Sequence, residues 1–209
     1  MRISRIRRFA STSTLLSSCA LAVAVVAGAG TATAVPNPDT STGARERCLV
    51  DPADDARTVD SLMDHCSASQ ILALFEGAEL GTVPTGTKTI SLLPMFQVDG
   101  KPLPYRTARL MTRAQSNLGK TLTFTTRDGG PWVYKDYLWG RDIGSAVVPS
   151  VSRIDGKPVY AADFARDFLG VELSRHEYRQ LTSGVWIGRD IGGGDKPTDT
   201  PTGGAIALH

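Results

Sequence analysis

Residues 174–180, Ser-Arg-His-Glu-Tyr-Arg-Gln, carry the densest run of chemically capable side chains in the chain. In an extended segment side chains alternate between faces, so Arg175, Glu177 and Arg179 share one face and His176, Tyr178 and Gln180 the other. The first face suits bidentate capture of a carboxylate head group. The second offers His176 as a general base or an orienting donor near neutral pH. Against both stands a structural reading, which is preferred: charged residues two apart form cross-strand pairs worth on the order of a few tenths of a kcal/mol. Asp163 lies within the apolar stretch 159–165, either on the wet face or paired inside with Arg175 or Arg179. It is the other catalytic candidate, as an acid. Trp132, Tyr134, Tyr137, Trp139 and Trp186 concentrate aromatic surface on neighbouring strands. Such residues line apolar ligand pockets, but a small β-protein also needs them as core.

Other chemistries lack their residues. There is no G-x-S-x-G elbow, phosphate-cradling loop, H-E-x-x-H or zinc-type Cys/His spacing. Gly192-Gly193-Gly194 does not join a strand to a helix and is no dinucleotide loop. No cofactor and no metal are therefore expected. Asp51, Asp54, Asp55 and Asp60 read as acids complementing a helix N-terminus, not as a Ca²⁺ site.

The 209 residues hold 23 basic and 21 acidic side chains, a net +2. Four of the basic ones, Arg2, Arg5, Arg7 and Arg8, precede an apolar run over residues 14–30. Ala32-Thr33-Ala34 then offers a signal-peptidase site. Residues 1–34 thus read as a cleaved signal peptide, with Val35 as the mature start, a secreted product and no stable membrane anchor after cleavage. Cleavage leaves 19 basic against 21 acidic residues, a net −2 that disfavours nucleic acid as a partner. Two alternatives are a lipoprotein attached to the membrane through Cys19, although the longest apolar stretch follows that cysteine, and a twin-arginine signal at Arg7-Arg8. Cys48 and Cys66 remain after cleavage and are expected to form one disulfide in an oxidising compartment.

The elements that must position these residues follow from the punctuation. Residues 35–44 read as a flexible leader, 45–191 as one globular domain, and 192–209 as a disordered tail, since 192–204 have linker composition, with docking of the short apolar end 205–209 as the alternative. Asp54 or Asp55 predicts one helix start, and Ser67 or Ser69 a second helix ending before Gly77 at C′. Residues 105–115 fit helix or strand alike. Strands are predicted near residues 87–93, 121–125, 132–139, 144–154, 158–164, 172–182 and 185–191, with turns at Arg127-Asp128-Gly129-Gly130, Asp155-Gly156 and Ser183-Gly184. The fold class is thus mainly β with an N-terminal helical segment (α+β), an antiparallel meander of six or seven strands closing into a small barrel.

Scattered blocks over roughly residues 70–192 add a resemblance: Asn117-Leu118-Gly119-Lys120, Arg153-Ile154-Asp155-Gly156-Lys157-Pro158, Tyr160-Ala161-Ala162-Asp163, Arg175-His176-Glu177-Tyr178-Arg179 and Gly184-Val185-Trp186-Ile187-Gly188. As a set they are similar to a family of small, largely uncharacterised bacterial proteins that look like calycins, the lipocalin-related barrels. His176 departs from the family's acid, and Leu118 from its aromatic. The resemblance implies a calycin-like barrel holding an apolar small molecule, without naming it. The function expected is therefore noncovalent binding of an apolar or lipid-like molecule, such as a lipid of the cell envelope. Arg175, Glu177, Arg179, Trp132, Tyr134, Trp139 and Trp186 are the expected ligand-binding residues. The alternatives are an isomerase or cyclase using His176 or Asp163, and an interaction or inhibitor module acting through strand edges or the tail. Oligomeric state is left open.

Overall fold

In a computed structural model the described residues are 47–115, 119–164, 174–192 and 201–209. The expected signal peptide and leader lie outside them. Two helices come first, α1 (Asp55–Asp64) and α2 (Ala68–Gly77). Asp54 caps α1 by accepting from the Arg57 amide, and Ser67 and Gln70 form a reciprocal capping box on α2. Gly77 is the last residue of α2 and not its C′ residue, because the chain leaves through extended Ala78. The expected Cys48–Cys66 disulfide is present and ties the segment before α1 to the turn between the helices. No helix among the described residues is long and apolar enough to cross a membrane.

Ten strands follow: β1 (Gly86–Val98), β2 (Lys101–Pro102), β3 (Gly119–Arg127), β4 (Gly130–Tyr137), β5 (Gly140–Arg141), β6 (Ser145–Val151), β7 (Pro158–Asp163), β8 (Ser174–Gln180), β9 (Trp186–Gly192) and β10 (Gly203–Leu208). Eight of them close an antiparallel barrel in the order β1-β3-β4-β6-β7-β8-β9-β10, with β10 pairing back onto β1. β2 and β5 are two-residue additions at hairpin ends. Two prolines well inside barrel strands sit where a ladder is interrupted or absent on one side. Pro94 lies at the register shift between Leu93 and Phe96, and Pro149 lies beyond the short β4–β6 pairing, which ends at Ala146.

The closing strand corrects the sequence reading. Residues 192–209 were expected to be disordered, yet 203–208 form β10, every residue of it buried, and the His209 amide and carbonyl both bond to Thr89. Gly203 makes this pairing feasible: its φ is +150°, and a Cβ there would collide with the Asp190 carbonyl. The rest of the expected tail, residues 193–200, lies outside the described residues.

Residues 105–115, which sequence left between helix and strand, form α3 (Tyr105–Gln115). β3 pairs with β1 only up to Thr89 and β2 only at Gln97 and Val98, so the stretch of that β1 edge between them is left without a strand. α3 packs along β1 through buried Ala108 and Thr112, which protects the edge. Arg109 anchors it to the end of α1, donating to the Met63 carbonyl at 3.0 Å and to Asp64 at 2.8 Å. A cation there also complements the α1 dipole.

Two apolar layers result. Inside the barrel lie Leu122, Phe124, Val133, Val147, Ala162, Tyr178 and Ile206. Outside it, α1 and α2 lay Val59, Leu62, Ile71 and Phe75 over Leu93, Val159, Ala161, Ile187 and Ala207. β8 and β9 run between these layers and are therefore buried on both faces.

Candidate functional site

That double burial decides the question posed by residues 174–180. Tyr178 belongs to the interior layer, and His176 stands beside it on the same face. Arg175, Glu177 and Arg179 face the opposite way, under the helices, so the expected carboxylate-binding ladder inside the barrel is not formed. Arg179 is fully buried and donates to both Asp155 oxygens at 2.7 Å, to the Phe75 carbonyl at 2.8 Å and to the Pro158 carbonyl at 3.0 Å. Its guanidinium also stacks 4.5 Å from the Phe75 ring centroid. Glu177 accepts from Ser152 Oγ, the Arg153 amide and Arg175 Nε. These residues weld α2 and the β6–β7 turn to the barrel, and their hydrogen bonds are already spent on protein.

Beside them Arg189 is buried on β9. It donates to Gln97 Oε1 at 2.7 Å and to the Gly204 carbonyl at 3.0 Å, and burial pushes its pKa down to about 10. It staples β9 to both closing strands.

The aromatic set divides as well. Trp132 and Tyr134 lie on the outer face of β4, where the guanidiniums of Arg127 and Arg141 cover their rings at 4.7 and 5.5 Å. Trp186 points inward and plugs one end of the barrel, its Nε1 donating to the Thr82 carbonyl at 2.8 Å and its ring carrying Lys88 at 4.7 Å. Trp139 is exposed at the other end, stacked on Tyr137 with centroids 4.8 Å apart. Asp163 is exposed on the outer face of β7, which removes it as a catalytic acid inside the barrel.

The end opposite Trp186 gathers polar groups that the sequence reading did not bring together. His176 on β8 faces Asp190, its cross-strand partner on β9. His176 Nε2 lies 3.5 Å from Asp190 Oδ1, and Nδ1 lies 2.9 Å from the Tyr178 hydroxyl. The Phe164 ring packs on the imidazole at 4.7 Å. Lys135 on β4 reaches the same end, its ammonium 5.8 Å from the Phe164 ring and 5.3 Å from that of Tyr137. His176, Asp190 and Lys135, with Gly119, Ile90, Leu92 and Ile206, line a cleft of about 60 Å³.

Electrostatics separates the members of this group. Burial favours the neutral form of Asp190, but His176, Lys135 and Arg189 outweigh it and hold the carboxyl below its ordinary range. Burial, reinforced by Asp190 and Asp142, drives the Tyr178 hydroxyl well above its ordinary value, so it stays a neutral donor. The arrangement can therefore orient an imidazole between a carboxylate and a phenol and present an ammonium beside it. Asp190 was legible in principle: counting outward from the Ser183-Gly184 turn pairs it with His176. Lys135 had no such local signal, since it meets the others only across the closed barrel.

Comparison with known protein families, with curated proteins and with solved structures found no match for this chain.

Proposed function

We propose that this is a secreted small-molecule-binding protein whose ligand inserts an oxygen-bearing head group into the polar end of the barrel. The observation that supports this reading is the cluster of Lys135, His176 and Asp190 at one end of an otherwise apolar interior. Ionisable groups gathered in an apolar interior with shifted titration mark a candidate site. The cleft of about 60 Å³ is far below the 300 Å³ or more of a pocket that encloses a drug-sized ligand. It admits a carboxyl or hydroxymethyl group, about two waters in size. The apolar remainder of the ligand lies over the Tyr137–Trp139 rim. The barrel is compatible with such binding, and the disulfide is consistent with an extracellular protein.

Native mass spectrometry of protein purified from its own host should show an adduct. Calorimetry should show dodecanoate or dodecanol binding about tenfold more weakly to Lys135→Met, the loss of one charge-assisted hydrogen bond. An adduct-free spectrum together with no heat from either amphiphile overturns the proposal.

One observation favours a second reading, an isomerase or cyclase: both His176 nitrogens are addressed, by Asp190 and Tyr178, as in a base held by an orienting group. In that case His176→Gln retains the ligand but abolishes its conversion. In the interaction-module reading, residues 203–208 are taken up by a barrel strand, and residues 193–200 of the tail lie outside the described residues.

A further inference from the structure

α3 shows solvent a face that its packing does not explain. Ala108 and Thr112 point at β1, while Leu110, on the opposite side, is 68% exposed. Helical spacing places Arg106 four residues before it and Arg113 three after it on the same outward stripe. The whole helix, Tyr-Arg-Thr-Ala-Arg-Leu-Met-Thr-Arg-Ala-Gln, holds three arginines and no acid. Tyr105 and Met111 add further exposed apolar surface.

A second exposed apolar group lies around the β4–β5 turn, where Leu138 is 69%, Trp139 64% and Ile143 57% exposed. Both groups flank the start of β3. Gln115 ends α3 four residues before Gly119, a span of at most about 14 Å, and Gly119 pairs directly with Tyr137. Ile90 and Leu92 line both the barrel-end cleft and the cleft beneath Arg109, Thr112 and Arg113. Among the described residues, Asp136 is engaged by Arg141 at 2.6 Å and Asp64 by Arg109 at 2.8 Å.

From these placements we infer that the face formed by α3 and the β4–β5 turn docks on the surface of an anionic lipid bilayer. Charge decides the occupant. A leucine between two arginines on an acid-free helix matches the headgroup boundary, where the alkyl side chain sinks toward the acyl chains and the guanidiniums remain at phosphate level. Trp139 is an indole of the kind that favours that same boundary. The chain without residues 1–34 carries −2, so attraction to anionic lipid must come from this local face. The inference stands whether or not the barrel end holds a ligand, because vesicle binding and ligand retention are separate readouts.

Cosedimentation of the disulfide-bonded protein with phosphatidylglycerol and with phosphatidylcholine vesicles tests it. Binding to phosphatidylglycerol is expected to be about tenfold or more the stronger, and to weaken as salt rises from about 0.05 to 0.5 M. Trp139 emission should shift to the blue on binding, and the shift should vanish in Trp139→Phe. Leu110→Glu and Arg106→Glu change exposed side chains, and each should cut binding by about tenfold with an unaltered circular dichroism spectrum. Protein that remains in the supernatant with both lipids overturns the inference, as does equal binding to both or full retention by Leu110→Glu.

Discussion

Arg179 and His176 are three residues apart on one strand and do opposite work. The Arg179 guanidinium has every direction occupied, with Asp155, two carbonyls and the Phe75 face arranged around it. Removing one partner of such a pair leaves an uncompensated charge in a place made for two. Arg179→Met should therefore lower stability by about 3 kcal/mol, a fall of roughly 10 °C in Tm for a domain of this size. The acid dependence carries a second signature. Burial raises the Asp155 carboxyl, but the hydrogen bonds from Arg179 and the Lys157 amide outweigh it, so its folded value lies below the unfolded one. The unfolded chain then binds the extra proton, and this contribution is complete above the unfolded value of about 4. It is lost as pH falls through the lower folded value. Denaturant melts of Arg179→Met between about pH 2 and 5 should show a flatter acid limb than wild type; an unchanged limb would mean that the pair does not govern acid stability.

At the scale of elements, the disulfide closes an 18-residue separation that contains all of α1. A loop of that length restrains the unfolded chain by about 3 kcal/mol, so the double variant Cys48→Ser/Cys66→Ser should lose about that much in urea while keeping its native-state spectrum. A loss below about 1 kcal/mol would show that α1 is held by packing alone. Caps at Asp54 and Ser67, and the turns at residues 127–130, 155–156 and 183–184, are local chemistry, and the elements they bound are where they were expected. The orientation of β8 was not legible, because both its faces are buried, so polarity does not alternate with depth: charged residues face the helices and His176 faces the interior. Nor was α3, whose alternation of small and large residues suits both periods until an unpaired β1 edge needs a cover. Of the candidate site, His176 was visible as a residue and Asp190 through its hairpin register, while Lys135 depends on barrel closure.

Closure is a property of the whole molecule, and it rests on the segment whose composition argued most strongly against order. Gly203-Gly204-Ala205-Ile206-Ala207-Leu208 is short and glycine-led, and its pairing partner, β1, lies over a hundred residues away in sequence. No local pattern signals a strand of that kind, because its stability comes from contacts on both sides and both faces at once. Ile206 and Leu208 enter the interior layer, Ala205 and Ala207 the layer beneath the helices, and Arg189 reaches across to the Gly204 carbonyl. Burial of Ile206 and Leu208 alone contributes about 1.5–3 kcal/mol each. Their sum is a large part of the 5–15 kcal/mol that holds a typical domain together. Truncation after residue 200 would also bare the edges of β1 and β9, a template for pairing between molecules. The truncated chain is therefore expected to lose its cooperative thermal transition or to aggregate, as read by calorimetry and light scattering. The double change Ile206→Ala/Leu208→Ala, which keeps the ladder, should leave a folded monomer with a lowered Tm. A truncated protein that melts as a monomer within about 2 °C of wild type would show that the barrel does not need its eighth strand.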